Sequence, residues 1–429
     1  MRKSVFTMLV ALGIGLTAQA QTWISDSVNM GTSCTTDVFY SLSNNTIKNE
    51  NNRNWHLAFS MSAADSSAIW ANHNSGNNWV KVFNIHKDTT QWASISLADT
   101  LGADLCFNND NGWFSGALNN KPGVGPFDFG WGKYNPVSHN IDGDSIFIVR
   151  TPQGYFKLLI QQLVSTQMSY TYRVGHLTNN TDNVYTISKQ PNYADRLFAY
   201  VDLNTGADTN REPAINTWDV LFTRYTTNFP GSGQMPNNNV IGVLTNKTVK
   251  VAQALAVQVD SSYTQYANFI STWMPGLAGV GYAWKTFDLN TNAWLVPDSN
   301  AYFIQDRSGN LWQLQFTSFS GSSTGKVNFR KRIVVPTLIN NVQNAIAMYA
   351  IAPNPANNAT QLVLTSNENK NANIALFDLQ GRMVYTAPVN INQGLNAFTL
   401  PLHTLSNGQY VLHVKGQGIS VQDKIVVTH

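Results

Sequence analysis

Two cysteines are the side chains with the most reactive chemistry in this chain of 429 residues. Cys34 and Cys106 both lie in the first third of the sequence, and the chain has no other cysteine. In an oxidising compartment they are candidates for a single disulfide. The alternative is two buried, reduced thiols, which need only ordinary packing. No metal site is expected, because neither cysteine belongs to the CxxC spacing of zinc ligands.

Motifs for metal-dependent hydrolysis are absent from the sequence. It has no HExxH and no closely spaced group of histidines. A carboxylate pair for glycoside hydrolysis stays open, because its two partners can come from any part of a chain. We therefore expect a protein that is not an enzyme and that uses no catalytic residue.

The elements that would position a binding site are predicted to be β-strands. Short apolar or alternating runs such as Ser145–Val149 and Ala301–Ile304 recur between segments rich in Asn, Gly and Asp. Only two windows, Val249–Val257 and Ala267–Thr272, suggest short helices. At this length we expect two or three domains of mainly β structure.

An internal repeat is visible when two Trp-centred segments are compared. A Trp-Lys segment and a hairpin with a central glycine follow each of them, in the same order and at nearly the same offset. The glycines suit tight turns, because they tolerate a positive φ. The matching landmarks are Asn54–Phe59 with Thr217–Phe222, Trp131–Tyr134 with Trp284–Phe287, and Gly154 with Gly309.

The last eighty residues form a separate sequence region. Two prolines in Pro353-Asn354-Pro355 favour an extended backbone and mark a boundary. Short strands are predicted at Gln361–Thr365, Asn373–Phe377, Asn396–Leu400, Tyr410–Val414 and Lys424–Val427. This pattern predicts a small β-sandwich over 350–429.

This region resembles the type A C-terminal sorting domain of the type IX secretion system. The resemblance implies export through the periplasm, recognition of the folded tail by an outer-membrane machine, removal of the tail by a sortase, and a final place on the outer cell surface or outside the cell. Asp378 and Arg382 are interpreted as turn and surface groups. The residues that carry the resemblance are Pro353, Asn354, Pro355, Asp378, Gly381, Arg382, Gly408, Tyr410 and Lys424.

Export is also indicated at the other end of the chain. Arg2 and Lys3 precede the mostly apolar stretch Phe6–Leu16, and Ala18–Ala20 supplies small residues at the positions that a signal peptidase reads. We therefore expect a signal peptide over 1–20. The apolar stretch is too short to span a bilayer, and no later segment is long enough, so no transmembrane segment is expected.

The repeated region resembles the HmuY-like family of secreted haem-binding proteins. The resemblance rests on Asn216–Tyr225, Val240–Asn246 and the strand pair around Gly309. It predicts two β-units, 21–180 and 181–340. It also implies a non-enzymatic protein that grips haem between loops through two axial His or Met side chains.

The residues of the expected haem site differ from the family pattern. One ligand of the family lies at about Ser60 or Thr223, and a hydroxyl of this kind is not a normal haem ligand. His56 aligns with Asp219 of the other copy and is interpreted as a buried hydrogen-bonding group. The candidate ligands nearby are Met61, His73, His86 and Met235.

Composition disfavours two classes of partner and leaves two possible functions. Charged residues make up 12% of the chain and the net charge is +3 without basic runs, so neither nucleic acid nor an anionic membrane is an expected partner. One hypothesis is a secreted ligand-binding protein of hemophore type, with haem as cofactor. The other is a surface adhesin or interaction module for carbohydrate or protein, whose many aromatic residues present a neutral face.

Overall fold

A computed structural model describes residues 22–429 of the chain, except 62–66, 74–79, 111, 115, 120–126, 180, 228–237, 275, 336–345, 367, 379 and 417–418. The chain divides into two compact units, Met1–Pro336 and Thr337–His429, here called the cargo unit and the tail unit. Both consist mainly of antiparallel β-strands, which confirms the predicted fold class. The predicted signal peptide, 1–20, lies outside the described residues.

The cargo unit contains short strands joined by turns and brief helices. The α-helices are α1 (Val259–Ser262) and α2 (Tyr266–Ile270), and 3₁₀ helices occur at Thr32–Cys34, Thr89–Ser94, Leu97–Thr100, Ala117–Asn119, Tyr263–Gln265 and Gly321–Ser323. In chain order the strands are β1 (Ile24–Asn29), β2 (Thr36–Ser41), β3 (Asn45–Asn51), β4 (Leu57–Ser60), β5 (Ile69–Ala71), β6 (Lys81–Lys87), β7 (Asp104–Cys106), β8 (Gly132–Tyr134), β9 (Ile141–Gly143), β10 (Ile146–Thr151), β11 (Gly154–Val164), β12 (Ser169–His176), β13 (Asp182–Ser188), β14 (Phe198–Val201), β15 (Asp208–Thr209), β16 (Val220–Thr227), β17 (Asn238–Thr245), β18 (Lys250–Ala254), β19 (Thr286–Asp288), β20 (Ala293–Leu295), β21 (Ala301–Gln305), β22 (Leu311–Phe319) and β23 (Lys326–Val335).

Four sheets make up most of the cargo unit. Two are inner sheets, with strand orders β15-β14-β4-β5 and β17-β16-β2-β3. Two are outer sheets, with orders β13-β12-β11-β10-β6-β7 (joined by β8 and β9) and β1-β23-β22-β21-β18. Strands β19 and β20 form a separate hairpin. One apolar core lies between each outer sheet and its inner sheet, and a third core lies between the two inner sheets.

Burial on both faces explains the apolar runs of the inner strands. In β2, Val38 and Tyr40 enter the core beside the outer sheet, whereas Phe39 enters the core between the inner sheets. A strand with one solvent-exposed face alternates apolar and polar residues, but a strand that is buried on both faces does not. The inner sheets are therefore the centre of the unit.

The strand orders reveal two copies of one arrangement. Copy one consists of β4–β15; copy two consists of β16–β23 together with β1–β3 from the start of the chain. Strand β1 pairs with β23 from Ile24 opposite Lys331 to Asn29 opposite Lys326, and β2 pairs with β16. The predicted boundaries, 21–180 and 181–340, are therefore wrong, because backbone hydrogen bonds place β1–β3 in copy two and β13–β15 in copy one.

The predicted hairpins are confirmed. Strands β10 and β11 are antiparallel neighbours that turn at Gly154, and β21 and β22 turn near Gly309. Both glycines have the positive φ that the prediction required, 139° and 87°. Trp131 and Trp284 are both buried, one in the core of each copy.

Only one of the two predicted helices is correct. The window Ala267–Thr272 overlaps α2, whereas most of Val249–Val257 forms β18. In β18, Val251 packs into the core of copy two while Ala252 and Ala254 pack against a cluster that includes residues of α2. Because both faces are covered, the sequence pattern of this strand lacks the alternation that would have distinguished it from a helix.

The tail unit is the predicted β-sandwich. Its sheets have strand orders β24-β25-β28 and β27-β26-β29-β30, and they enclose a single apolar core. All five predicted strands are present, but two others were missed: β24, inside which the predicted start at 350 falls, and β27. The strands are β24 (Ile346–Ala352), β25 (Ala359–Ser366), β26 (Lys370–Phe377), β27 (Met383–Ile391), β28 (Gly394–Pro401), β29 (Gly408–Gly416) and β30 (Ile419–Val427).

Candidate functional site

Two of the predicted haem ligands lie at opposite ends of one hairpin. Met61 follows β4, whereas His73 lies beyond the other end of the ladder, because Leu57 pairs with Ala71. Roughly six residue steps of about 3.3 Å separate their positions, or about 20 Å. Met61 is buried in the core of copy one, and the buried Nδ1 of His73 lies 2.9 Å from the Val80 carbonyl. They do not form an axial pair.

The other predicted ligands do not complete a haem site. The His86 side chain is 61% exposed, and its Nε2 lies 3.1 Å from an Asp104 carboxylate oxygen. Met235 lies outside the described residues. Among the described residues no group of three or more His, Cys, Asp or Glu side chains is placed to hold a metal ion. The described candidates do not fit the pair of axial ligands that the resemblance implies.

The predicted disulfide is wrong. Both cysteines are buried and are not joined by a disulfide. Cys34 lies in the core of copy two and Cys106 in the core of copy one, so both inner sheets stand between them. Nearness along the sequence did not indicate nearness in space, because the first three strands belong to copy two. The alternative of two buried thiols is the one observed.

Matching polar anchors hold the Trp-centred strands of the two copies. The Asn72 amide donates to the Trp55 carbonyl at 2.8 Å, and the Asn246 amide donates to the Trp218 carbonyl at 2.7 Å. Each amide also donates to the carbonyl three residues before its tryptophan. Sequence comparison missed these asparagines. Asn72 directly follows β5, which pairs with β4, and Asn246 directly follows β17, which pairs with β16.

His56 is the buried hydrogen-bonding group that was predicted. Its Nδ1 accepts a bond from the Leu203 amide at 3.0 Å, just as Asp219 accepts one from the Leu42 amide at 2.8 Å. Burial lowers the pKa of His56, which keeps the ring neutral and able to accept. Both side chains thus join a Trp strand to its neighbour and take no part in a ligand site.

One serine fits a hydrolase pattern by sequence only. Gly321-Ser322-Ser323-Thr324-Gly325 reads GxSxG, the pattern of a nucleophile elbow between a strand and a helix. Here the segment is a 3₁₀ turn between β22 and β23, and the Ser323 hydroxyl donates to the Ser320 carbonyl at 3.0 Å. A turn between two antiparallel strands does not have the elbow geometry.

An open cleft of about 470 Å³ lies beside the inner sheet of copy two, within the size range of ligand sites. Its walls come from β17, from the β19–β20 hairpin and from the segment before that hairpin. Phe287 is 39% exposed and packs edge-on against Trp294, with ring centres 5.2 Å apart. The lining residues are Arg224, Asn239, Val240, Ile241, Tyr282, Ala283, Lys285, Thr286, Phe287 and Trp294.

The charged groups of this cleft are all cationic. Lys285 is nearly buried and its Nζ donates to the Ile241 carbonyl at 2.5 Å. The same Nζ lies 4.2 Å from the centre of the Trp284 ring and 5.4 Å from that of Trp294. Burial lowers the pKa of Lys285 to about 7. An anion in the cleft would favour the charged form, since an opposite charge offsets the cost of burial.

A smaller cavity of about 50 Å³ lies between the two inner sheets. Arg211 is buried there and pairs with the equally buried Asp37, with Nη2 2.7 Å from Oδ2. The Thr223 hydroxyl donates to the other oxygen of Asp37 at 2.6 Å. Thr223, where the HmuY-like resemblance implied a haem ligand, therefore hydrogen-bonds to this ion pair.

The motif residues of the tail unit have structural roles. The Asp378 carboxylate accepts from the Arg382 amide at 2.9 Å, which closes the turn between β26 and β27 as predicted. The amide group of Asn354 donates to the Lys424 carbonyl and accepts from the Val426 amide, at 2.7 and 2.9 Å. The proline-flanked segment is thus held to the last strand of the chain.

Comparison with known proteins identifies the tail unit. Residues 350–428 match the secretion system C-terminal sorting domain. The chain is therefore exported by type IX secretion to the cell surface or the extracellular space, and the tail engages the type IX machinery. Within the described part of the chain, no helix has both the length and the apolar character needed to cross a membrane.

Two solved structures share a weak likeness with the chain. No curated protein sequence matches the chain. Dimeric latent PorU from Porphyromonas gingivalis is 10% identical, with a TM-score of 0.18 over 68% of this chain and 32% of PorU. Faecalibacterium prausnitzii beta-glucuronidase is 9% identical, with a TM-score of 0.16 over 57% of this chain and 41% of the enzyme. The chain thus spans about a third of PorU, and scores this low carry no argument about the cargo unit.

Proposed function

We propose that the exported chain is a binding protein without enzymatic activity, and that its cleft beside the β19–β20 hairpin binds an acidic carbohydrate. This favours the interaction module over the hemophore among the two functions considered from the sequence. The observation that carries the proposal is the cleft itself, which combines exposed aromatic rings with cations.

The aromatic wall supports a carbohydrate ligand. Phe287 and Trp294 lie on the two strands of one short hairpin, as Phe287 pairs directly with Trp294 in the β19–β20 ladder. Tyr282 and Trp294 are only partly buried, so each adds exposed aromatic surface to this wall. Flat aromatic faces suit the apolar faces of sugar rings, while Asn239 adds an amide for hydroxyl groups.

The charges of the cleft support an acidic ligand. Lys285 and Arg224 line it, and none of its described lining residues is Asp or Glu. Burial lowers the pKa of both basic groups, so each gains from a nearby negative charge. A uronic or sialic acid carries such a charge on a ring that can also stack on an aromatic side chain.

Binding of acidic and neutral oligosaccharides to the full chain tests the proposal. We expect an acidic glycan to bind, and Trp294→Ala to raise its Kd at least tenfold, or about 1.4 kcal/mol. Phe127→Ala is the matched control, because Phe127 is 63% exposed but stacks on Tyr134 outside the cleft. Equal binding by both variants, or no glycan bound at all, would contradict the proposal.

Haemin is the second probe, because the resemblance of the cargo repeats implies haem. We expect no sharp Soret shift when micromolar haemin is added to the full chain. A shift that Met235→Ala or His73→Ala abolishes would replace the carbohydrate with haem as the ligand.

A further inference from the structure

The cavity between the inner sheets is small. Its volume of about 50 Å³ compares with the 10–15 Å³ that one water molecule needs, so it has room for about three or four non-hydrogen atoms. It is lined by Asp37, Trp55, Ala58, Trp70, Ala71, Asn108, Trp113, Phe198, Tyr200, Arg211, Leu221, Thr223, Arg224, Tyr225, Thr226 and Leu244. Residues of both copies therefore contribute to one cavity.

Several polar atoms of these lining residues are buried without a hydrogen-bond partner among the described residues. They are Arg211 Nε, Trp55 Nε1, the Tyr225 hydroxyl and the Thr226 hydroxyl. The first two groups can only donate a hydrogen bond. Buried donors are nearly always paired in folded proteins, so four unpaired atoms around one cavity indicate a missing acceptor.

The nearest carboxylate does not supply this acceptor. Asp37 already accepts from Arg211 Nη2 and from the Thr223 hydroxyl, one bond on each oxygen. Among the lining residues, Asp37 carries the only negative charge, whereas Arg211 and Arg224 carry two positive ones. The guanidinium of Arg211 also lies 4.9 Å from the Tyr200 ring centre, within an otherwise aromatic wall. The lining of the cavity thus has an excess of hydrogen-bond donors.

We propose that this cavity binds a small monovalent anion, such as a halide, nitrate or a carboxylate of one or two carbons. Such an anion accepts hydrogen bonds from several donors at once, including the charged guanidinium of Arg211. Larger or multivalent anions exceed the volume. The inference is independent of the cleft and its carbohydrate, although Arg224 lines both.

Anomalous scattering from crystals of the full chain grown with sodium bromide tests the site directly. We expect a bromide peak within hydrogen-bond distance of Arg211 Nε. Density in the cavity without anomalous signal would show water molecules and would overturn the proposal.

Thermal unfolding of the full chain tests the same site in solution. Nitrate should raise Tm along a saturating curve when it replaces gluconate, which is too large for the cavity, at constant ionic strength. Tyr225→Phe and Thr226→Val should each raise the apparent Kd for nitrate at least fivefold. Tyr302→Phe is the control, because Tyr302 is buried in the core of copy two and does not line the cavity. If Tm depended equally on nitrate and gluconate concentration, anion binding would be contradicted. If the variants fail to fold, the anomalous bromide map of the wild-type protein tests the site instead.

Discussion

Asn72 and Asn246 each satisfy two buried carbonyl groups with a single amide. Asn72 donates to Asn52 and Trp55, and Asn246 donates to Ile215 and Trp218. We expect Asn72→Ala and Asn246→Ala each to lower the free energy of unfolding by about 2 kcal/mol, because buried acceptors then lose their donors. Urea unfolding measures this. As a control, Asn49→Ala, at an exposed position of β3, should change the free energy of unfolding by less than about 0.5 kcal/mol. Similar losses in all three variants would show that the hydrogen bonds of Asn72 and Asn246 have no special importance for stability.

Glu212 makes the stability of the cargo unit depend on pH. Its buried carboxylate accepts from the Leu197 and Phe198 amides, and burial raises its pKa from 4.5 to about 7. Between these values the folded protein binds more protons than the unfolded chain, so this contribution is full below about pH 4.5 and is lost as the pH rises through 7. The loss amounts to about 3 kcal/mol.

Unfolding at pH 5 and pH 7.5 checks this effect. Relative to Glu212→Gln, which keeps an acceptor but cannot ionise, the wild-type protein should lose stability as the pH rises. Glu368→Gln, at a half-exposed carboxylate in the tail unit, should behave like wild type. If the free energy of unfolding changed equally with pH in the wild-type protein and in Glu212→Gln, the pH dependence would not come from Glu212.

In the cargo unit, the roles of single residues were predictable only where the repeat constrained them. His56 was correctly interpreted because it aligned with Asp219, and both proved to accept a backbone amide. The residues of the cleft were not recognised as a site. Lys285 and Phe287 belonged to a repeat landmark and Tyr282 lies just before it, but Trp294 joins them only through the β19–β20 hairpin. No sequence motif predicts that these residues lie together in one cleft.

At the level of elements, prediction failed where the surroundings of a strand departed from the usual pattern. Strand β18 is covered on both faces, so its pattern lacks alternation and was read as a helix. Strand β27 has the opposite problem: it lies at a sheet edge, is largely exposed and contains Pro388. Proline is tolerated at an edge because one side of the strand needs no ladder hydrogen bond. Strands with one buried face, such as β26, were predicted correctly.

Over the whole molecule, the order of the copies in space differs from their order in the sequence. Pattern matching located both copies but assigned β1–β3 to the wrong one, because adjacency along the chain is a weak guide once a sheet closes with strands from both ends. In copy two, β1 covers the edge of the outer sheet and β2 lies within the inner sheet. Val28, Val38 and Tyr40 deliver apolar side chains from these strands to the core of copy two.

Removal of β1–β3 should therefore destabilise the other strands of copy two, which lie at the far end of the cargo sequence. We expect a variant lacking 22–51 to lose cooperative unfolding and to be cleaved by protease within 212–335, because β16 and β23 lose their partners. A peptide of residues 22–51 added in trans should restore protection by rejoining both sheets. Deletion of 346–429 is the control, since it removes no strand partner from the cargo unit. Cleavage confined to 53–180 would instead support the sequence-based boundaries, because the missing strands would then have belonged to copy one.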